Sequence, residues 1–315
     1  MPEPPVLEPR WWRPEDVKEE DGKAHEKNGK NFSVCGLCFR GCRIADGGAG
    51  ACGARAYSKG RFSSPHLGRF VSVAVDPIEK KPLRRWRPGT EILSLGGLRC
   101  NMRCPFCQNH AIAHPGPLPG PLSSGRGLER GITFEELTAL AKRASLRSVA
   151  YTYNEPTLQA EYIFAASPLL REEGIATVMV TNGMFSEEVC EEAVRFVDAM
   201  NIDVKTFDGG TYERLGGSLG TVKRNVERLV RGGVHVELTH LVVPGVSDSP
   251  GDFALLLDWA AKEVSADIPL HISRYFPAFK YDAPPTDAAL IEKFYRMAKG
   301  KLKHVYTGNL GRGYT

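Results

Sequence analysis

The sequence predicts an α/β protein of the barrel type behind a cysteine-rich N-terminal segment. From Val71 onward, short apolar runs alternate with longer amphipathic ones, the pattern of repeated βα units around a mostly parallel sheet. Seven apolar runs are long enough for strands, a barrel-like count. Seven of the eight cysteines fall into two tight groups, one ahead of this alternation and one directly behind its first strand. A chain of 315 residues can carry one large domain with an appendage, or two modest domains.

Residues 1 to 30 are polar and charged, with Trp11 and Trp12 as the only large apolar anchors, and read as an arm laid over the domain. Between Cys35 and Cys52 glycine is dense, which suits a tight loop better than a helix or strand. The strands are expected at Glu91 to Leu95, Ser148 to Tyr153, Thr177 to Thr181, Ile202 to Lys205, Val234 to Val243, Leu270 to Tyr275 and His304 to Thr307. Helices are expected between them at Thr133 to Ala144, Leu158 to Glu173, Glu187 to Ala199, Val222 to Arg231, Pro250 to Val264 and Asp287 to Lys299. Thr133 with Glu136, and Ser186 ahead of Glu187 and Glu188, are N-terminal capping signals, and Gly174 follows the second helix as a C-terminal cap should. His114 to Gly125 (HPGPLPGPLSSG) is too rich in Pro and Gly for regular structure and reads as an excursion. These signals divide the chain into an N-terminal arm and Cys-rich segment, residues 1–85, and a barrel domain, residues 86–315. A doubly wound open sheet fits the same alternation; in either fold, ligands gather at the carboxyl edge of the strands.

Composition narrows the function classes. Hydrophobic residues make up 42% and charged residues 25%, an ordinary globular balance. No run approaches the roughly 18 apolar residues of a spanning helix. The opening MPEPPVLEPR reverses the basic-then-apolar order of a signal peptide, which points to the cytoplasm. A net charge of +4 is too small to argue for nucleic acid or a membrane surface. In a reducing compartment, clustered cysteines read as metal or redox sites before disulfides, and a chain of this size needs no staples.

The strongest motif is Cys100-Asn-Met-Arg-Cys104-Pro-Phe-Cys107, placed after a predicted strand and Gly96-Gly97. Three thiolates this close can converge on one iron–sulfur cubane, which normally takes four, so one iron stays open for a ligand that is not protein. An open position marks a catalytic site. Zinc, with His110 or His114 as fourth ligand, is the alternative reading of the same residues. Further along, Asn154-Glu155 ends the second strand, Thr181-Asn182-Gly183 the third, and Asp203-Val-Lys205 the fourth. A carboxylate such as Glu155 at a strand's carboxyl end can bind an ammonium, and alternation puts Asp203 and Lys205 on one face. His240 lies on the fifth strand, ahead of Pro244-Gly245.

C-x3-C-x2-C with Phe106 before the last cysteine resembles the signature of the radical S-adenosylmethionine superfamily. The segments Asp76 to Pro82, Cys104 to Asn109, Tyr151 to Pro156 and His271 to Pro277 resemble more narrowly the radical enzyme of the AmmeMemoRadiSam group, itself similar to pyruvate formate-lyase activases. Where that group has Trp after Cys-Gln-Asn, this chain has His110. The resemblance implies a partial (β/α)6 TIM-like barrel, a [4Fe-4S] cluster on Cys100, Cys104 and Cys107, and S-adenosylmethionine across the strand ends. It further implies Phe106 near the adenine, with Asn154, Glu155, Thr181, Asn182, Asp203, Lys205 and His240 contacting the cofactor. The implied reaction is reductive cleavage of S-adenosylmethionine to a 5′-deoxyadenosyl radical that acts on a small-molecule substrate. The implied partners are an electron donor such as flavodoxin or ferredoxin, and Memo-type and AMMECR-type proteins. Two other functions fit the residues: a glycyl-radical activase acting on a partner protein, and a non-enzymatic module with zinc in both cysteine groups.

Cys35-x2-Cys38-x3-Cys42-x9-Cys52 supplies four thiolates, a complete ligand set for a structural zinc or an auxiliary [4Fe-4S] cluster. The basic run Lys80, Lys81, Arg84, Arg85 and Arg87 reads as a solvated face, and Cys190 as a buried apolar side chain. Arg274 and Tyr275 stand where a substrate is expected.

Overall fold

The computed structural model describes residues 5–14, 32–116 and 130–310. Much of the expected N-terminal arm and of the Pro/Gly excursion therefore lies outside the described residues.

One eight-stranded sheet organises the molecule. Its strands are β1 (Ser72–Pro77), β2 (Glu91–Gly96), β3 (Ser148–Tyr151), β4 (Ala176–Thr181), β5 (Ala199–Asp203), β6 (His235–Val242), β7 (Leu270–Arg274) and β8 (Val305–Gly308), standing side by side in chain order. β2 to β8 are parallel, and β1 runs antiparallel to β2 from Ser72↔Gly96 to Pro77↔Glu91. Among the described residues no ladder joins β8 to β1, so the barrel stays open on that side. Helices α1 (Phe134–Arg143), α2 (Ala160–Glu172), α3 (Glu187–Phe196), α4 (Leu219–Arg231), α5 (Pro250–Trp259) and α6 (Ala288–Lys299) lie between successive strands from β2 to β8. The six strand–helix units of a partial barrel are thus present, and β8 adds a seventh parallel strand. Because β1 is part of this sheet, the barrel begins ahead of the division drawn at residue 85.

Local signals set the helix boundaries. Thr133 accepts from the Glu136 N–H at 3.1 Å and Ser186 from the Val189 N–H at 3.3 Å, so both expected caps form. Gly174 sits at φ +70° behind α2, where a side chain is disfavoured. α4 starts three residues before the expected Val222, because Ser218 accepts from the Thr221 N–H at 3.2 Å and caps it there.

Strand alternation sorts side chains into two sets. Leu238, His240 and Val242 of β6 lie in the outer core, and the His240 ring packs on Phe253 of α5 and Phe294 of α6. Glu237, Thr239 and Leu241 face inward. At the amino ends of the strands that interior is plugged by the segment following β1. Ile78 and Leu83 are fully buried against Ile92, Ala150, Val178 and Ala199. Buried Glu237 accepts from the backbone N–H of Arg84 at 3.0 Å and of Arg85 at 2.7 Å, and from His271 at 2.7 Å. Lys81, read as part of a solvated face, is instead buried: its ammonium meets Asp76 at 2.7 Å and lies 4.4 Å from the Tyr153 ring centroid.

The N-terminal segment folds as two small antiparallel sheets, Trp12–Pro14 with Phe32–Cys35 and Arg43–Ala45, and Gly48–Ala49 with Ala56–Ser58 and Arg61–Ser63. The expected loop over Cys35 to Cys52 therefore contains short strands, too short to show a periodicity. The segment docks on the barrel through a buried ion pair between Arg55 and Glu161 of α2, and through Trp11, edge-on to Phe164 at 6.0 Å.

Candidate active site

The loop leaving β2 carries the cysteines, and neighbouring strand ends shape it. The Asn154 side chain accepts from Gly97 N–H at 3.0 Å and donates to the Arg99 carbonyl at 2.9 Å, stapling the loop at its start. Arg99 and Tyr153, each one residue ahead of a site residue, are held at φ +74° and +73°, a region costly for residues with a Cβ. Further along, the Arg103 N–H reaches the Leu215 carbonyl at 2.8 Å, and the Lys280 N–H the Pro105 carbonyl at 2.9 Å. From the N-terminal segment, Arg40 donates to the carbonyls of Asn101 at 3.0 Å and Gly216 at 2.6 Å.

Cys100, Cys104, Phe106, Cys107, Asn154, Glu155, Asn182, Asp203 and Lys205 line one cavity of about 250 Å³ at the carboxyl ends of the strands. Burial lifts the thiols of all three cysteines, Cys104 to about 11, while the Lys205 ammonium opposes the shift at each. Lys205 meets Asp203 at 2.7 Å. Burial disfavours the lysine's charge, but Asp203 and then Cys104 outweigh it and hold the ammonium well above the usual lysine range. Asp203 and Lys205 share the inward face, as alternation requires.

Two expected contacts, Thr181 and His240, do not line the cavity. Glu155 is fully buried: Oε1 accepts from the Thr157 N–H and hydroxyl at 3.0 and 2.5 Å and from the Thr181 hydroxyl at 2.7 Å, and Oε2 from the Asn182 N–H at 2.9 Å. Burial pushes its carboxyl up against those donors. Thr181 thus acts through Glu155 and does not line the cavity. His240 is a correction: its ring nitrogens lie 3.0 and 3.1 Å from the carbonyl oxygens of Val204 and Ser247, in the outer core. Thr239 and Leu241 line the cavity in its place. Of the two substrate candidates, Arg274 bonds the Thr286 carbonyl at 2.7 Å and Tyr275 the Tyr281 carbonyl at 2.7 Å; both shape the wall rather than line the cavity.

The residues present suit an iron–sulfur cluster. Asn182 Nδ2 lies 3.7 Å from Cys100 Sγ and donates to Asn101 Oδ1 at 2.8 Å, which leaves Asn101 Nδ2 buried without a protein acceptor. Such an orphaned donor beside a cluster thiol suits a sulfur acceptor. His110 and His114 lie flat against Phe279, at 4.7 and 5.7 Å, rather than completing a zinc site. Among the described residues, no three His, Cys, Asp or Glu are arranged to hold a single metal ion. A cubane interposes iron and sulfide between its thiolates, so its ligands stand wider apart than those of one ion.

The N-terminal cysteines gather as a set. The Cys35 N–H bonds the Cys42 carbonyl at 2.9 Å, and the Ala54 N–H points to Cys52 Sγ at 3.4 Å. Burial, with smaller contributions from Cys35, Cys52 and Cys42, pushes the Cys38 thiol up to about 12, so the four thiols lie within electrostatic reach. This set also touches the segment that follows β4: Cys38 pairs with Phe185 in a β-bridge, and the Phe39 N–H reaches the Met184 carbonyl at 3.2 Å, beside Asn182.

An open parallel barrel with thiols, a half-buried lysine and asparagines around one cavity at its carboxyl edge defines an enzyme built to hold a cofactor at that edge. The chain belongs to the radical SAM superfamily, whose family description matches residues 95–257. Membership brings with it a [4Fe-4S] cluster and S-adenosylmethionine, and makes the chain an enzyme rather than a non-catalytic zinc module. An uncharacterized protein of Methanocaldococcus jannaschii is 35% identical over 289 residues, 91% of this chain and 84% of that protein. A probable GTP 3′,8-cyclase of Archaeoglobus fulgidus is 26% identical over 64% of this chain and 65% of its own length. The pyruvate formate-lyase-activating enzyme of Clostridium pasteurianum is 28% identical over 48% of this chain and 61% of its own. Among solved structures, a radical SAM methyltransferase from Sphaerobacter thermophilus shares the fold with a TM-score of 0.54 and 14% identity, over 96% of this chain and 78% of that one.

Proposed function

We propose that the enzyme cleaves S-adenosylmethionine reductively and applies the resulting 5′-deoxyadenosyl radical to a small-molecule substrate. The observation that carries this reading is the single cavity shared by Cys100, Cys104, Cys107, Asn154, Glu155, Asn182, Asp203 and Lys205. When bound, the cluster supplies the electron that splits the sulfonium. The three thiolates would hold it, and Lys205 offsets their charge. Asn154 and Glu155 present polar groups for the methionine moiety, Asp203 and Lys205 bind polar groups of the same cofactor, and Phe106 offers an apolar face to the adenine. Phe106 is itself braced edge-on by Tyr281 at 6.2 Å.

A second reading, activation of a partner protein by glycyl-radical formation, is favoured by the similarity to a pyruvate formate-lyase-activating enzyme. Within the superfamily, the motifs quoted above favour the AmmeMemoRadiSam group, with Memo-type and AMMECR-type partners and a flavodoxin or ferredoxin donor. Cys35, Cys38, Cys42 and Cys52 are read as a second metal site, zinc or an auxiliary cluster. No helix is long and apolar enough to cross a membrane among the described residues, and the cytoplasm is the proposed location.

Anaerobic reconstitution with iron and sulfide, followed by dithionite and S-adenosylmethionine, tests the reading. Release of 5′-deoxyadenosine, lost at least 100-fold in Cys104→Ala, is the expected result. No release from the wild-type protein overturns the proposal. Iron and zinc content in the same preparation assigns the N-terminal site.

A further inference from the structure

Ala113 and His114, at the end of the short helix His110–Ala113, line the cavity, and the groups gathered there have no role in holding a cluster. His110 and His114, one turn apart, lie parallel to Phe279, each with an interplanar angle of 12°. Phe279 is exposed, at φ +58°, and the Lys280 ammonium lies 5.1 Å from its ring centroid. This aromatic turn is fixed from three sides. The Lys280 N–H is tied to Pro105, Ala278 pairs with Tyr281, and the Tyr281 hydroxyl donates to the Pro244 carbonyl at 2.6 Å.

His114 lines the cavity, and the groups that act on it electrostatically, His110, Lys280 and Arg103, are all basic side chains. Among the described residues neither the Lys280 ammonium nor the Arg103 guanidinium has an ion-pair partner, whereas the lysine on the cavity floor, Lys205, is neutralised by Asp203. Unpaired cations are ordinary on a surface. Here, however, they stand near His114, which lines the cavity, together with a fixed aromatic wall, and low-dielectric surroundings strengthen their field.

We propose that the substrate carries an oxyanion, a carboxylate or a phosphate, which docks against Lys280, Arg103 and His114, with Phe279 as a flat wall beside it. The proposal rests on the cavity being catalytic and adds the charge class of its substrate. Arg103 supplies a planar fork for two oxygens and Lys280 a compact charge. The substrate's neutral part then points past His114 toward Tyr153, Ser273 and Leu241, which line the interior.

The test uses the reconstituted holoprotein with S-adenosylmethionine, titrated in one arm with inorganic pyrophosphate and in the other with succinate. Saturable binding of one probe is expected, weakened at least tenfold in the Arg103→Gln/Lys280→Gln double variant and by raised salt, and retained in Lys280→Arg and in the remote control Lys299→Gln. Which probe binds names the oxyanion. Absence of binding by both probes, or binding equally tight in the double variant, overturns the proposal. The two readings fail separately: wild-type protein that binds the probe but releases no 5′-deoxyadenosine overturns the proposed reaction, and protein that releases it but binds neither probe overturns the anion site.

Discussion

Asn101 is the residue whose surroundings ask most directly for the cluster. Its Oδ1 is occupied by Asn182, and its Nδ2 is buried with no acceptor in the protein. Hydrogen bonds to cluster sulfur raise the reduction potential. Asn101→Ala is therefore expected to shift the midpoint potential of the reconstituted cluster to more negative values at unchanged iron content, measured by spectroelectrochemistry; an unchanged potential would reduce Asn101 to a prop for Asn182. His240 makes the opposite case. It packs on Phe253 and Phe294 away from the cavity, so His240→Ala should lower stability by about 2 kcal/mol in urea unfolding and leave S-adenosylmethionine affinity unchanged in equilibrium dialysis. At this scale the sequence was informative wherever spacing alone decides geometry. The cysteine triplet is closed by its own loop, and Asp203 and Lys205 share a face by alternation. His240 went astray because its face is set by register: Asp203 pairs with Thr239, so Thr239 is the inward neighbour, and no local feature of the sequence gives that pairing. Asn101 and Arg40 were unreadable for a similar reason, since their partners come from residues 182 and 216.

The parallel strands were legible because both their faces are covered, which writes them as apolar runs. β1 was not, and its burial explains why. Val73 and Val75 are exposed at 39% and 45% while Asp76 is buried, so the valines face out and the acid faces in, the inverse of an amphipathic strand. Asp76 is tolerated because Lys81 and the Tyr153 hydroxyl, at 2.5 Å, hold its carboxyl well below the usual range despite the opposing effect of burial. β5 begins three residues before the expected Ile202, since Ala199, Met200 and Asn201 are weak strand formers recruited by the ladders on either side. The docking of the N-terminal sheets on α2 rests on Arg55 and Glu161, whose side chains are 1% and 2% exposed. Removing one partner of such a pair strands the other charge, so Arg55→Met is expected to cost about 3–5 kcal/mol in denaturant unfolding. Arg55→Met combined with Glu161→Leu should recover most of that loss, and a double variant no better than the single one would show that the pair is not the dominant tie.

As a whole, the barrel is corked at its amino end and open to chemistry at the other. Glu237 fastens the cork. Burial opposes its charge, but His235, His271 and the backbone N–H groups of Arg84 and Arg85 prevail and bring its pKa down to about 2. In the unfolded chain a glutamate titrates near about 4.3, so this stabilisation is fully present above that pH and is lost as the pH falls through about 4 toward 2. The amount at stake is on the order of 3 kcal/mol. Glu237→Gln should be less stable at pH 7 and show a flatter loss of stability between pH 4 and 2 in urea titrations; an unchanged slope would assign acid sensitivity elsewhere. The clasp of Arg40 on the Gly216 carbonyl has a consequence in time. Donor and acceptor are 176 residues apart. At synthesis rates of roughly 5–20 residues per second, Arg40 emerges about 10–35 s before the carbonyl it clasps exists. Through that interval the loop that carries Asn101 waits without this clasp, so its final locking belongs to the late part of synthesis.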